Sequence, residues 1–295
     1  MTQNIENILQ KKAMLVQFSA SVYSGRKKDN RGNNAVSEKY GNETNMGNFT
    51  KQAIPKEYLK DIQSVVGEFR TLLYQYTSPW THKGENLLPT ALHEKLMEKQ
   101  REMSTKFFEL SDIFCNNYEQ YIIDAQSRLN GLFNADDYPT ISKIRQKFSW
   151  NIDFSAVRNG NQLQVDIAQK DIDEISADIE TKNKKSLDTA MSTIWQRVFD
   201  SVKALSDKMK EKRADKAGND ISPIFRDSII ENIRDLVELL PSLNITDDPA
   251  LESARRDLEN DLAGIDPDQL RENPTDREDI AKKADAILDN IGNLF

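Results

Sequence analysis

Two long heptad seams separated by a turn constrain this chain more than any other feature. The first runs from Leu92 and Leu96 through Met103, Phe107, Phe114 and Tyr121 to Leu132, with Lys99 as its polar break, and Pro89 and Thr90 start it. The second starts near Lys170 with Ile172, Ile175 and Ile179, is interrupted at Lys182–Lys185, and resumes from Leu187 through Ile194, Val198 and Val202 to Met209. Apolar residues three and four apart form one stripe on a helix, and a stripe that long must be covered by another element. At 1.5 Å per residue the first helix should be roughly 60 Å long. Between the seams, Trp150, Ile152 and Phe154 alternate with polar residues, and after Arg158-Asn159-Gly160-Asn161 the alternation resumes at Leu163, Val165 and Ile167. Period-2 spacing around Asn-Gly predicts a β-hairpin over 148–167 that reverses the chain and sets the two helices antiparallel.

The flanking segments fit around this frame. Val16, Phe18, Ala20 and Val22 alternate as a half-buried strand, expected to pair with the hairpin because an isolated hairpin is marginal in water. Asn30–Asn48 is rich in Gly and Asn and predicts a long mobile loop. Pro55 opens a helix with Tyr58, Ile62, Val65, Phe69, Leu72 and Tyr76 on its seam, and Ser78-Pro79 stops it. Thr140–Lys147 predicts a short helix, and Lys210–Lys216 with Gly218 ends the outgoing one. Beyond Ile221 come shorter helices: one before Pro241, one capped by Asp247-Asp248-Pro249 and ending at Ala263-Gly264, and one opened by Thr275 with Glu278 as a capping box. The fold class expected is mainly α (α+β), an elongated antiparallel long-helix bundle with a small antiparallel sheet, the N-terminal strand plus hairpin, at one end. Three regions follow: 1–54 as strand and mobile polar loop, 55–218 as the bundle with hairpin 148–167, and 219–295 as an acidic helical segment.

Charge divides the chain unevenly. Eighteen carboxylates against eight Lys and Arg from Ile221 to Phe295 give −10, and since the whole chain carries −8, the preceding 220 residues carry +2. An acidic segment repels nucleic acid and suits a basic partner. Ile229, Ile233, Leu236, Ile287, Leu288 and Ile291 on its helices are the expected partner-binding stripe, presented beneath outward carboxylates. Nucleic acid is the alternative: Arg26, Lys27, Lys28 and Arg31, with Arg145 and Lys147 and then Lys182, Lys184 and Lys185, are candidate backbone contacts, with Trp150 and Tyr23 as stacking faces. A more remote alternative is a membrane-active tongue over the alternating 150–154 stretch, which its polar second face and the lack of a long apolar helix disfavour.

Catalytic patterns are thin. His82 and His93 are the two histidines and Cys115 the single cysteine, so a Cys/His nucleophile is disfavoured against a core cysteine and no intramolecular disulfide exists. Asp171, Asp173, Glu174 and Asp178 satisfy a helix N-terminus without a metal. Gly25 before three cations lacks the spacing of a phosphate-binding loop. No catalytic residue, cofactor or metal is expected. The N-terminus lacks a signal-peptide pattern and no apolar run approaches ~20 residues, so a cytoplasmic protein is expected, in a bacterial host if phage-encoded.

Leu15-Val16-Gln17-Phe18-Ser19-Ala20-Ser21-Val22-Tyr23-Ser24-Gly25-Arg26-Lys27-Lys28 carries a resemblance, together with Tyr138 and Arg145-Gln146-Lys147-Phe148-Ser149-Trp150. Phe225-Arg226-Asp227-Ser228 through Leu240-Pro241-Ser242-Leu243-Asn244-Ile245 completes it. These segments resemble the uncharacterised "domain of unknown function" family 3150 of phages and bacteria. Members are often encoded near MoxR-type AAA+ ATPases and proteins with a von Willebrand A domain, which implies an accessory or adaptor role. The expectation is a non-enzymatic scaffold or adaptor that engages a protein partner, such an ATPase included, or assembles with itself.

Overall fold

The computed structural model describes residues 2–41, 47–81, 84–162, 165–211, 213–214, 220–221 and 226–292. The chain is mainly α with a small antiparallel sheet. It divides into two compact units, the first made of Met1–Val16, Tyr76–His93 and Phe154–Phe295 and the second of Gln17–Gln75 and Glu94–Asp153. Among described residues no helix is long and apolar enough to cross a membrane.

The first unit contains helix α1 (Thr2–Lys12), the start of strand β1 (Ala13–Ser21) and strands β4 (Ser78–Pro79) and β5 (Asn86–Pro89). Its other helices are α7 (Gln169–Lys210), α8 (Ser228–Leu243), α9 (Pro249–Leu258), α10 (Pro267–Glu272) and α11 (Pro274–Gly292). β1 pairs antiparallel with β5, Ala13 opposite Pro89 and Val16 opposite Asn86. That pairing buries Leu15 and Leu87 in a cluster with Leu9, Trp80, Leu187 and Ala190. From Leu187 onward α7 turns a continuous buried row inward, Ile194, Val198, Val202, Leu205 and Met209. α11 packs along this row with Ala281, Ala284, Ile287 and Ile291, the two alanines permitting close approach, and α8 adds Ile230, Ile233 and Leu240. Each buried aliphatic side chain contributes about 1.5–3 kcal/mol of transfer free energy, so the row is what holds the three helices together. Asp248 and Asp266 cap α9 and α10 through their carboxylates, as the Asp-Pro pairs require. Arg234 donates to the carbonyls of Ala263 and Ile265, which close the π turn after α9.

The second unit contains the rest of β1, β2 (Arg26–Lys28), α2 (Asn30–Tyr40), β3 (Thr50–Gln52), α3 (Lys60–Tyr76), α4 (His93–Asn116), α5 (Tyr118–Leu129), α6 (Ile141–Arg145) and β6 (Ser149–Ser155). β6 is the neighbour of β1 in the sheet, and β2 pairs antiparallel with β3. The core is a column of aromatic rings. Phe18 of β1 meets Phe69 of α3 and Trp150 of β6 with centroids 4.7 Å apart in both pairs. Trp150 meets Phe107 at 5.4 Å, Phe148 meets Phe114 at 5.7 Å, and Phe114 meets Tyr121, which stacks on Tyr58 at 4.1 Å. Edge-to-face and offset pairs of this kind add to the burial of large rings.

Several expectations need correction. The return strand of the 148–167 hairpin does not form over its described residues: after β6 comes a 3-10 turn at Gly160–Gln162, and Val165 and Ile167 are exposed, while Leu163 lies outside the described residues. Gly160 is there for contact rather than for positive φ, because a Cβ on it would come 2.8 Å from the backbone of Ser176 in α7. Residues 30–40 form α2 instead of a loop: Asp29 accepts from the Arg31 N–H at its start and Gly41 takes the left-handed conformation at its end. Gly32 faces the ring of Phe49, which a side chain there would overlap. The long helix breaks at Asn117, whose amide donates to the Ile113 carbonyl and competes with the helix backbone. Asn183, within the polar interruption at Lys182–Lys185, is buried and donates to the Arg158 carbonyl at 2.7 Å. α8 runs through Pro241 to Leu243, since a proline in the last turn removes only one late hydrogen bond and Leu243 is buried beyond it. Asn273, not Thr275, caps α11. Within its own unit α7 takes α11 and α8 as packing partners.

Candidate interaction surface

The expected partner stripe of the acidic region is core. Ile233, Leu236, Ile287 and Ile291 are buried against α7 and its neighbours, and Ile229 and Leu288 are half-buried beside them. Much of the acidity is also matched inside the chain: Lys12 holds Asp247, Lys210 holds Asp285, Arg271 holds Asp227 and Asp268, and Arg255 holds Glu252 and Glu259.

The basic residues of the second unit separate by role. Arg26, Lys27 and Lys28 form β2 with largely exposed side chains, and Lys147 is exposed after α6. Arg145 is paired with Asp112. Arg31 forks onto Asp29 and donates to the carbonyls of Gly131 and Leu132 at 3.0 and 2.8 Å. Tyr23 and Trp150, expected as stacking faces, are buried in the aromatic column. Lys182, Lys184 and Lys185 lie on α7 in the first unit. The second unit therefore does not bring its cations and aromatics together as a stacking groove, because rings of that size are needed to fill its interior.

What sequence reasoning missed is a buried charge cluster. Lys51, opposite Lys27 in the β2–β3 ladder, has its side chain only 2% exposed. Its ammonium lies 2.7 Å from both Asp29 and Asp137 and donates to the Leu132 carbonyl. Burial alone would lower its pKa, but the hydrogen bonds it donates to Asp137 and Asp29 overcome this and raise it. Arg31, then Lys51, holds the Asp29 carboxyl far below the usual carboxylate range. The cluster ties β2–β3 to the end of α5 and the turn at Ala135–Asp137. Arg128 and Tyr138 add bonds to the Ala53 carbonyl of the same segment. The Asp136-Asp137 pair was the one local trace of it. Nearby, the hydroxyls of Tyr23 and Tyr118 interact with each other without a hydrogen bond of ordinary geometry, and burial raises the pKa of both.

Cys115 is buried and its thiol is pushed up by that burial, which makes it a weak nucleophile. His93 edges onto the ring of Phe154, and His82 lies outside the described residues. Among described residues no group of three or more His, Cys, Asp or Glu could hold a metal. Of the acidic first turns of α7, Asp173 accepts from Gln169, Glu174 pairs with Lys170 and Asp178 with Lys182.

The first unit leaves one helix face partly open. Residues 169–182 of α7 contain no buried side chain, while Ile172 and Ile179 are half-buried and Ile175 is 40% exposed. One flank of this segment is covered by the 160–162 turn, where Ser176 donates to the Gly160 carbonyl. The open flank borders a cleft of about 650 Å³ between α7 and the turn joining β4 to β5, with Leu15, Trp80, Ile175 and Ile179 as apolar walls and Arg158, Glu85, Asp178 and Lys182 among its polar groups. An amphipathic helix whose apolar stripe is left half uncovered is a surface suited to another helix.

Comparison with protein-family models, with curated proteins and with solved structures finds no match.

Proposed function

We propose that this chain is a non-enzymatic helical scaffold or adaptor that acts in the cytoplasm by engaging protein through the open face of α7. The observation that carries this reading is the Ile172–Ile175–Ile179 stripe, left partly uncovered where the rest of the same helix is packed. A charged chain with 30% Asp, Glu, Lys and Arg gains little from exposing a row of isoleucines unless another surface covers it. The resemblance to family 3150 adds a MoxR-type ATPase system as a candidate setting for such an adaptor. Nucleic-acid binding is the weaker reading, since Arg31 and Arg145 already hold carboxylates and the aromatic residues are interior. A photo-crosslinking amino acid at position 175, compared with one at the exposed Asp173 position on another face of α7, tests the proposal in cells. A discrete protein adduct from 175 and none from 173 is expected; 175 giving no more adduct than 173 would overturn it.

A further inference from the structure

Resting on that reading, we infer that the occupant of the open α7 face is the same face of a second copy of this chain, packed antiparallel about a two-fold axis. The argument is the order of charge along the helix. At 100° per residue, Ile172, Ile175 and Ile179 share one stripe, and Asp171, Glu174, Asp178, Lys182 and Lys185 form the row on its open flank. All five of those side chains are exposed. The row reads acid, acid, acid, base, base from the N-terminal side, which is complementary to itself only when reversed. A two-fold centred near Asp178–Ile179 sets Asp171 and Glu174 of each copy beside Lys185 and Lys182 of the other, whereas a parallel pairing sets acid on acid. Asp178, which falls on the axis, is already ion-paired with Lys182 of its own chain at 2.5 Å, so the centre does not hold two bare carboxylates.

The apolar geometry agrees with the charge order. An isologous pairing brings Ile175 of one copy against Ile179 of the other, and the cleft beside the stripe, walled by Leu15 and Trp80, gives these side chains room to seat. The opposite flank of the segment is taken by the 160–162 turn through Ser176 and by the Arg158 carbonyl through Asn183, which limits docking to the open flank. The Lys170–Glu174 contact is an exposed ion pair within one helix, worth little by itself, and can be exchanged for a contact between copies, while Lys182 keeps Asp178 and approaches Glu174 of the other copy.

Sedimentation velocity of the full chain tests this. The wild type should dimerise with concentration and the dimer should weaken as salt rises. Lys182→Glu with Lys185→Glu should be monomeric, as should Asp171→Lys with Glu174→Lys, and an equimolar mixture of the two variants should form a heterodimer. Recovery on mixing requires both variants to be folded; Ile175→Lys, on an exposed position, should also be monomeric with an unchanged far-ultraviolet circular dichroism spectrum. A wild type that stays monomeric up to ~100 µM, charge variants that dimerise as the wild type does, or folded variants that fail to pair on mixing would each overturn the inference. A monomer whose position 175 still crosslinks to a different protein would remove the second copy as occupant and leave the adaptor reading standing; a monomer with no crosslink would remove both.

Discussion

Lys51 shows how a single buried cation can tie together parts of the chain far apart in sequence. Its partners Asp29 and Asp137 lie 22 positions before it and, on the other side, beyond α5, and no periodicity links them. Replacing Lys51 by Ala leaves two carboxylates facing each other in the interior, and the second unit should lose about 3 kcal/mol, measured by urea unfolding followed through Trp150 fluorescence. The Asp29 carboxyl has a folded pKa below its unfolded value of about 3.9, so the stability it contributes is present above that pH and is lost as pH falls through the folded value. Acid unfolding of the second unit should therefore be shallower in Asp29→Asn than in the wild type below about pH 4, with the wild type the more stable of the two at neutral pH; parallel curves would contradict the assignment. At this scale the sequence was least informative. Arg31 and Arg145 look like free surface cations in the sequence, and only the folded chain shows the carboxylates that hold them.

Elements were legible where a long stripe met its own cover. α3, α7, α9 and the half-buried β1 lie where their spacing places them, since heptad and period-2 patterns are direct consequences of burial on one face. α2 was hidden because Asn and Gly lower helix propensity, and what supports it is the Asp29 cap, the Gly41 end and the contact of Gly32 with Phe49. The return strand is missing among the described residues for a related reason: Asn159-Gly160 carries the signature of a tight turn, yet Gly160 serves close packing of that turn on α7. Gly160→Ala should push the turn off Ser176, costing about 1–3 kcal/mol locally. Amides of residues 169–182 should then exchange faster while those of residues 187–209 keep their protection. Equal acceleration along the whole helix would show that the turn does not anchor the N-terminal third on its own.

For the whole molecule, α7 is the element on which fold and proposed function meet. Its C-terminal two thirds are the spine on which α8 and α11 pack, which is why the apolar stripes of the acidic region, read from sequence as a docking face, are interior. Stripe and docking face have the same signature in sequence; what separates them is whether the chain itself supplies a cover, and that is a tertiary fact. The N-terminal third has the same kind of stripe with part of its cover missing. Hydrogen–deuterium exchange of the full chain at low and high protein concentration tests this division most directly. The account predicts that protection of residues 169–182 rises with concentration while residues 187–209 are strongly protected throughout. Protection of 169–182 that does not change with concentration, and no slower exchange when the chain is returned to a cell extract, would contradict it.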